Sequence, residues 1–77
     1  MGRTRKDAPA HSRILTVVQN EDGTFDILLD GYAQVSRVHE PWLERELCVR
    51  FGFCGDEYTA ILHELRQHGS WKWALAN

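Results

Sequence analysis

Between Pro41 and His68 the chain carries two amphipathic stretches interrupted by Gly52-Phe53-Cys54-Gly55, and this tandem restricts the fold more than any other feature. In the second stretch Tyr58, Ile61, Leu62 and Leu65 recur at i, i+3, i+4 and i+7, which gathers them on one helical face. Asp56 and Glu57 would meet the positive end of the backbone dipole, and Arg66 and His68 the negative end. Gly69 then offers the left-handed residue that commonly closes a helix. In the first stretch Pro41 suits an opening position, where its missing N–H costs nothing. Leu43, Leu47 and Phe51 follow at i, i+4 and i+8, with Glu44, Arg45, Glu46 and Arg50 toward water and Gly52 as the stop. The spacing predicts helices over 41–51 and 56–68.

Two stretches with the period of strands lie upstream. Over Arg13 to Gln19, Ile14, Thr16 and Val18 alternate with Leu15 and Val17; over Thr24 to Asp30, Phe25, Ile27 and Leu29 alternate with Asp26 and Leu28. Asn20-Glu21-Asp22-Gly23 between them is a turn signal. A loop of two residues (Asp22-Gly23) or four (Asn20 to Gly23) sets Phe25, Ile27 and Leu29 beside Ile14, Thr16 and Val18. A three-residue loop would put these sets on opposite faces, so the even-numbered loops are expected. Asp30-Gly31 is a second turn, and Tyr32 to Val38 reads as a third strand or as an irregular lead into the first helix. Glu40, preceding Pro41, marks the boundary. After Gly69-Ser70, the alternation of Trp71, Trp73 and Leu75 with Lys72 and Ala74 is a last strand, expected beside one hairpin strand. The expected class is α+β: a small antiparallel sheet covered on one face by an αα-hairpin, in the order β-β-(β)-α-α-β. Residues 1–12, polar and without periodicity, read as a disordered basic tail, and 13–77 as a single domain.

With 77 residues the core must be small, and Trp42, Trp71, Trp73, Phe25, Phe51, Phe53, Tyr32 and Tyr58 are its bulkiest candidates. No apolar run approaches the roughly 20 residues needed to span a membrane, and no apolar segment follows the basic start as in a secretory leader. A cytoplasmic location is therefore expected. There Cys48 and Cys54 would be free thiols. Charge is segregated: residues 1–13 hold Arg3, Arg5, Lys6 and Arg13 against Asp7, while the remaining five basic residues face ten acidic ones. An acidic body with a basic tail argues against nonspecific phosphate binding by the folded part.

Several residue sets could carry chemistry. Phe51-Gly52-Phe53-Cys54-Gly55, followed by Tyr58 and Ile61, resembles the helix–GxxG–helix signature of K-homology domains. The resemblance implies a loop, Gly52, Phe53, Cys54 and Gly55, that clamps a single-stranded nucleic-acid backbone, with Arg3, Arg5 and Lys6 as further contacts. The sequence departs from that pattern in the variable pair, which is Phe53-Cys54 rather than basic, and in the carboxylates Asp56 and Glu57 that follow. Leu47, Cys48, Phe51, Gly52, Phe53, Tyr58 and Ile61 also fit a helix-turn-helix spacing. The second helix would then present Asp56, Glu57, Thr59, Ala60, His63, Glu64 and Gln67, a surface short of the Arg and Lys that read a major groove.

Cys48, Cys54, His63 and His68 space as C-x5-C-x8-H-x4-H, away from zinc-finger spacings, so no metal or other cofactor is expected. Cys54 precedes a helix N-terminus, which favours a thiolate. No base can be placed beside it, and a chain this short leaves little room for a pocket of about 300 Å³, so an enzyme is not expected. Aromatic residues are abundant, and Trp and Tyr dominate binding hot spots. The expected function is a non-catalytic protein-interaction module, a small regulator or accessory protein. Phe53, Trp71 and Trp73 would touch a partner with a basic surface or form a homodimer interface, and a nucleic-acid-binding module is the alternative.

Overall fold

The computed structural model describes residues 13–75, and the basic tail over 1–12, with Arg3, Arg5 and Lys6, lies outside the described residues. Six elements follow in the expected order: β1 Arg13–Gln19, β2 Phe25–Leu29, β3 Tyr32–Val38, α1 Glu40–Phe51, α2 Asp56–His68 and β4 Ser70–Leu75. The class is α+β, with one four-stranded antiparallel sheet ordered β3-β2-β1-β4. The region 32–38 is thus a full strand, and the C-terminal strand lies beside β1.

The first hairpin differs from the expected even-numbered loop. Gln19 pairs with Phe25, Val17 with Ile27 and Leu15 with Leu29. Asn20 N–H donates to the Thr24 carbonyl at 2.7 Å, which leaves Glu21-Asp22-Gly23 as a three-residue loop. Gly23 N–H donates to Asn20 O at 3.0 Å, and Gly23 takes φ 87°, the left-handed residue such a loop requires. Asp22 locks the turn by accepting from the Thr24 N–H (2.9 Å) and hydroxyl. Phe25 and Ile27 therefore share the buried face with Leu15 and Val17, not with Ile14, Thr16 and Val18. The physical reason is burial: Leu15, Val17 and Ile27 are all fully buried under the helices, which only the odd loop permits.

The helices lie across that face. Leu43 and Leu47 from α1, and Tyr58, Ile61, Leu62 and Leu65 from α2, close over Leu15, Val17, Phe25 and Ile27. Both helices end on left-handed glycines, Gly52 (φ 81°) and Gly69 (φ 80°), whose N–H groups return to carbonyls of the last turn. The crossing of α1 and α2 is fixed at Glu40. Its carboxylate accepts from Arg66 at 2.9 Å, and its carbonyl lies 3.4 Å from the Tyr58 hydroxyl. Burial and charge around Glu40 and Glu44 hold the Tyr58 phenol above its ordinary pKa, so it stays a donor. No helix among the described residues is long and apolar enough to cross a membrane.

The sheet's two edges are unlike. On β3 the register slips twice, between Phe25/Ile27 and Ile27/Leu28. Within the first slip Arg37 adopts φ 56° and turns its N–H onto the Asp26 carboxylate at 2.8 Å. On β4 the pairing with β1 runs without a slip from Ser70 to Leu75.

Candidate functional site

The aromatic residues expected in the core separate into two groups. Phe25, Phe53 and Tyr58 are buried, and Phe51 and Trp71 pack partly against the core. Tyr32 (77%), Trp42 (56%) and Trp73 (51%) are exposed, so the core is closed mainly by leucine, isoleucine and valine. Trp42 is partly covered by the Arg45 guanidinium, 5.7 Å from its ring centre.

Phe53, Trp71 and Trp73 come together as one cluster. Trp71 and Trp73 are two apart on β4, so they share a face, and their rings stack at 6.1 Å and 15°. Their partners on β1 are Val17 and Leu15, which places both indoles on the helix-covered side, at its margin. Phe53 inserts edge-on against both, with centroids at 5.3 Å from Trp71 and 5.9 Å from Trp73. Phe53 is only 8% exposed, so it forms the floor of the cluster rather than a projecting contact. Above it, Glu57, Ala60 and Ile61 of α2 complete a cleft of about 160 Å³ with Trp71 and Trp73. The cleft is apolar, with one carboxylate on its rim.

The loop that delivers Phe53 is held by a bond that the free-thiol expectation missed. Cys48, in the last turn of α1, is joined by a disulfide to Cys54, with Cα atoms 4.6 Å apart. Neither is a free thiol, and this is a correction to the sequence reading. The two cysteines are six positions apart, and the helix-ending Gly52 between them folds Cys54 back toward the helix end. Gly55 follows with φ 58° and ψ −121°, a conformation for which glycine is suited, and starts α2. The loop thus has three fixed points: Gly52 N–H on Cys48 O (3.0 Å), Phe53 N–H on Leu47 O (3.1 Å), and the disulfide.

The disulfide alters the other readings of these residues. Bonded sulfur is neither a thiolate nucleophile nor a thiolate ligand, which removes Cys54 as a reactive thiol and the Cys48/Cys54/His63/His68 metal set in this state. His63 and His68 are exposed, and His68 lies 3.7 Å from Glu64. As a nucleic-acid clamp, the Gly52-Phe53-Cys54-Gly55 loop offers a phosphate no cation of its own, with Phe53 turned inward and Asp56 and Glu57 exposed beside it. The face α2 shows to water carries the expected Asp56, Glu57, Thr59, Ala60, His63, Glu64 and Gln67.

A larger concavity, about 410 Å³, opens beside the first hairpin among Asn20, Glu21, Asp22, Asp26 and Arg37. Its groups are occupied with one another. Asp26 accepts from Arg37 N–H and from the Asn20 amide at 3.0 Å, and these bonds hold its carboxyl below the ordinary pKa. Asp22 is lowered in the same sense, first by the Thr24 hydroxyl. The dish is a braced turn, whereas the smaller cleft is lined mainly by aromatic and aliphatic side chains. No protein-family model, curated protein or solved structure matches the chain.

Proposed function

We propose that the chain is a non-catalytic protein-interaction module, a small regulator or accessory protein, whose contact surface is the cleft of Phe53, Trp71 and Trp73. The observation that carries this reading is that Trp73 stays half in water while stacked on Trp71 and backed by a buried Phe53. A rigid aromatic ring with a fixed back and an open front loses little conformational entropy on binding, which is the property of interface hot spots. Among residues 13–75, ten carboxylates outnumber six cationic side chains, and Glu57 stands on the rim of the cleft. The partner this favours presents an apolar side chain next to a cationic one.

Paired capture supplies the test. Proteins retained by the wild-type chain are compared with those retained by Trp73→Ala and by Glu57→Lys, and the binder is purified for calorimetry. Loss of the same binder with both substitutions, with thermal stability preserved, is expected. Equal affinity of all three for that binder would refute the cleft as the contact surface. A cytoplasmic location, expected from composition, would expose Cys48–Cys54 to reducing thiols. The thiol state of the pair in rapidly acid-quenched cells is therefore a direct readout of the compartment.

A further inference from the structure

We infer that the partner binds as an extended basic segment adding a fifth strand to the outer edge of β4, with its apolar side chains lodged over Trp73. This rests on the interaction-module reading and specifies its geometry. The hydrogen-bond phase of the sheet identifies the available groups. Gln19 N–H donates to Gly69 O at 2.9 Å, and antiparallel ladders alternate, so Val17/Trp71 and Leu15/Trp73 are the pairs bonded between β1 and β4. The N–H and C=O groups of Ser70, Lys72 and Ala74 consequently point outward, and no described strand pairs with them. This edge is regular, whereas the β3 edge is broken by two register slips and the left-handed Arg37. Bulges of that kind are a device by which sheets discourage pairing. Only β4 has been left straight, and it is the strand that flanks the aromatic cleft.

A strand laid against β4 alternates its side chains between the two faces of the sheet. Those on the helix side meet Trp73 and the cleft, with Glu57 on its rim and Glu64 two turns along the same side of α2. An apolar residue followed two positions later by Lys or Arg satisfies both features. A second copy of this chain satisfies them poorly. Antiparallel β4–β4 pairing puts both helix layers on one side of the joined sheet, where the Glu57 and Glu64 sides of the two α2 helices would face each other. The Lys72 side chains on the other face would also approach. Like charges thus favour a basic partner over self-pairing.

The probe is a capped heptapeptide, Thr-Lys-Thr-Val-Thr-Lys-Thr, whose valine and lysines share one face of the strand, titrated into the ¹⁵N-labelled full chain. In the free chain the amides of Ser70, Lys72 and Ala74 should exchange rapidly while those of Trp71 and Trp73 are protected. Peptide should slow exchange at Lys72 and Ala74 at least tenfold and give cross-strand contacts to β4. Replacing its lysines by glutamates, or Glu57→Lys in the protein, should weaken it several-fold. N-methylating the peptide along one edge should weaken binding at least about tenfold through the lost backbone hydrogen bonds. Equal binding of the N-methylated peptide, with sensitivity to Trp73→Ala retained, would overturn strand addition and leave the cleft reading standing. Binding insensitive to Trp73→Ala would overturn both. Outer amides already protected in the free chain, by its own terminal segment or by a second copy, would also overturn the proposal, as would no binding at low salt.

Discussion

Reduction of Cys48–Cys54 should loosen the molecule at one definable place. The bond closes a ring over residues 48–54. On the chain-entropy view, cross-linking a ring of about seven residues removes freedom from the unfolded chain worth about 2 kcal/mol at 25 °C. A domain of this size holds about 3–9 kcal/mol in total, so the loss is a large fraction. It corresponds to a fall in Tm of roughly 8–16 °C. Cys54 is exposed and Cys48 half-buried, so a small dithiol can reach the outer sulfur.

The reduced loop keeps Gly52 and Gly55, both at positive φ, with one restraint fewer. Phe53 should therefore loosen from Trp71 and Trp73, and the tryptophan emission should change before global unfolding. The assay is thermal unfolding by circular dichroism and fluorescence, with and without dithiothreitol, checked by titration of two thiols and repeated on Cys54→Ser. An unchanged Tm with both thiols titrating would refute the reasoning. Phe53 packing and the two backbone bonds would then suffice to hold the loop.

Three further substitutions test other joints. Leu47→Ala empties a fully buried site between helix and sheet and should cost about 2–5 kcal/mol, seen as a lowered urea midpoint, whereas less than about 1 kcal/mol would mean that the helix layer packs loosely. Gly52→Ala meets no side chain but forces a left-handed conformation, so about 1–2 kcal/mol should be lost without disturbing the aromatic cluster's near-ultraviolet signal. Asp26 accepts from Arg37 N–H and Asn20, and its folded pKa lies below the unfolded value of about 3.9. Its stabilisation is complete above that value and is lost as pH falls through the folded pKa, so Asp26→Asn should lower Tm at pH 6 and flatten the fall below pH 4. A slope identical to wild type would assign the acid sensitivity to Asp22 and Asp30, both also lowered.

The elements were legible in the sequence because each has a strong local period and a glycine or turn at its end. Tyr58, Ile61, Leu62 and Leu65 all proved buried, and the Asp30-Gly31 turn joins β2 and β3 with both residues at positive φ. The hairpin register was not legible, because Asn20-Glu21-Asp22-Gly23 suits loops of several lengths. The choice falls to the helices, which cover Leu15 and Val17. That signal was present, since both are purely aliphatic while Ile14 and Val18 flank Thr16. Size alone points the aromatic residues to the core, yet Tyr32, Trp42 and Trp73 are exposed, Trp42 on the outer side of α1 and the other two on the edge strands β3 and β4. Phe53, a loop residue, is the one drawn inward. The disulfide was missed because pairing depends on the αL turn at Gly52, which folds Cys54 back on its helix.

These departures share a cause, and it bears on function. A sheet of four strands is wider than two helices of 12 and 13 residues can cover, and margins stay exposed on both edge strands, at β3 and, beside the aromatic cleft, at β4. Burying that margin fully would need a third helix or a longer loop. Instead the short loop supplies one ring, Phe53, braced by the disulfide, and the indole of Trp73 is left half in water. An exposed indole on a straight edge that no described strand pairs is an aggregation hazard unless selection or function retains it. Here its surroundings are ordered: the ring is stacked, its floor is buried, and the Glu57 carboxylate stands on the rim. The protective features of edge strands are concentrated instead on β3, with its bulges and its Arg37–Asp26 bond. If the β4 margin were merely a deficiency of a small core, Trp73→Lys would raise solubility and cost nothing but stability. If it is the contact surface, the same substitution should leave the free energy of unfolding within about 1 kcal/mol of wild type while binding disappears.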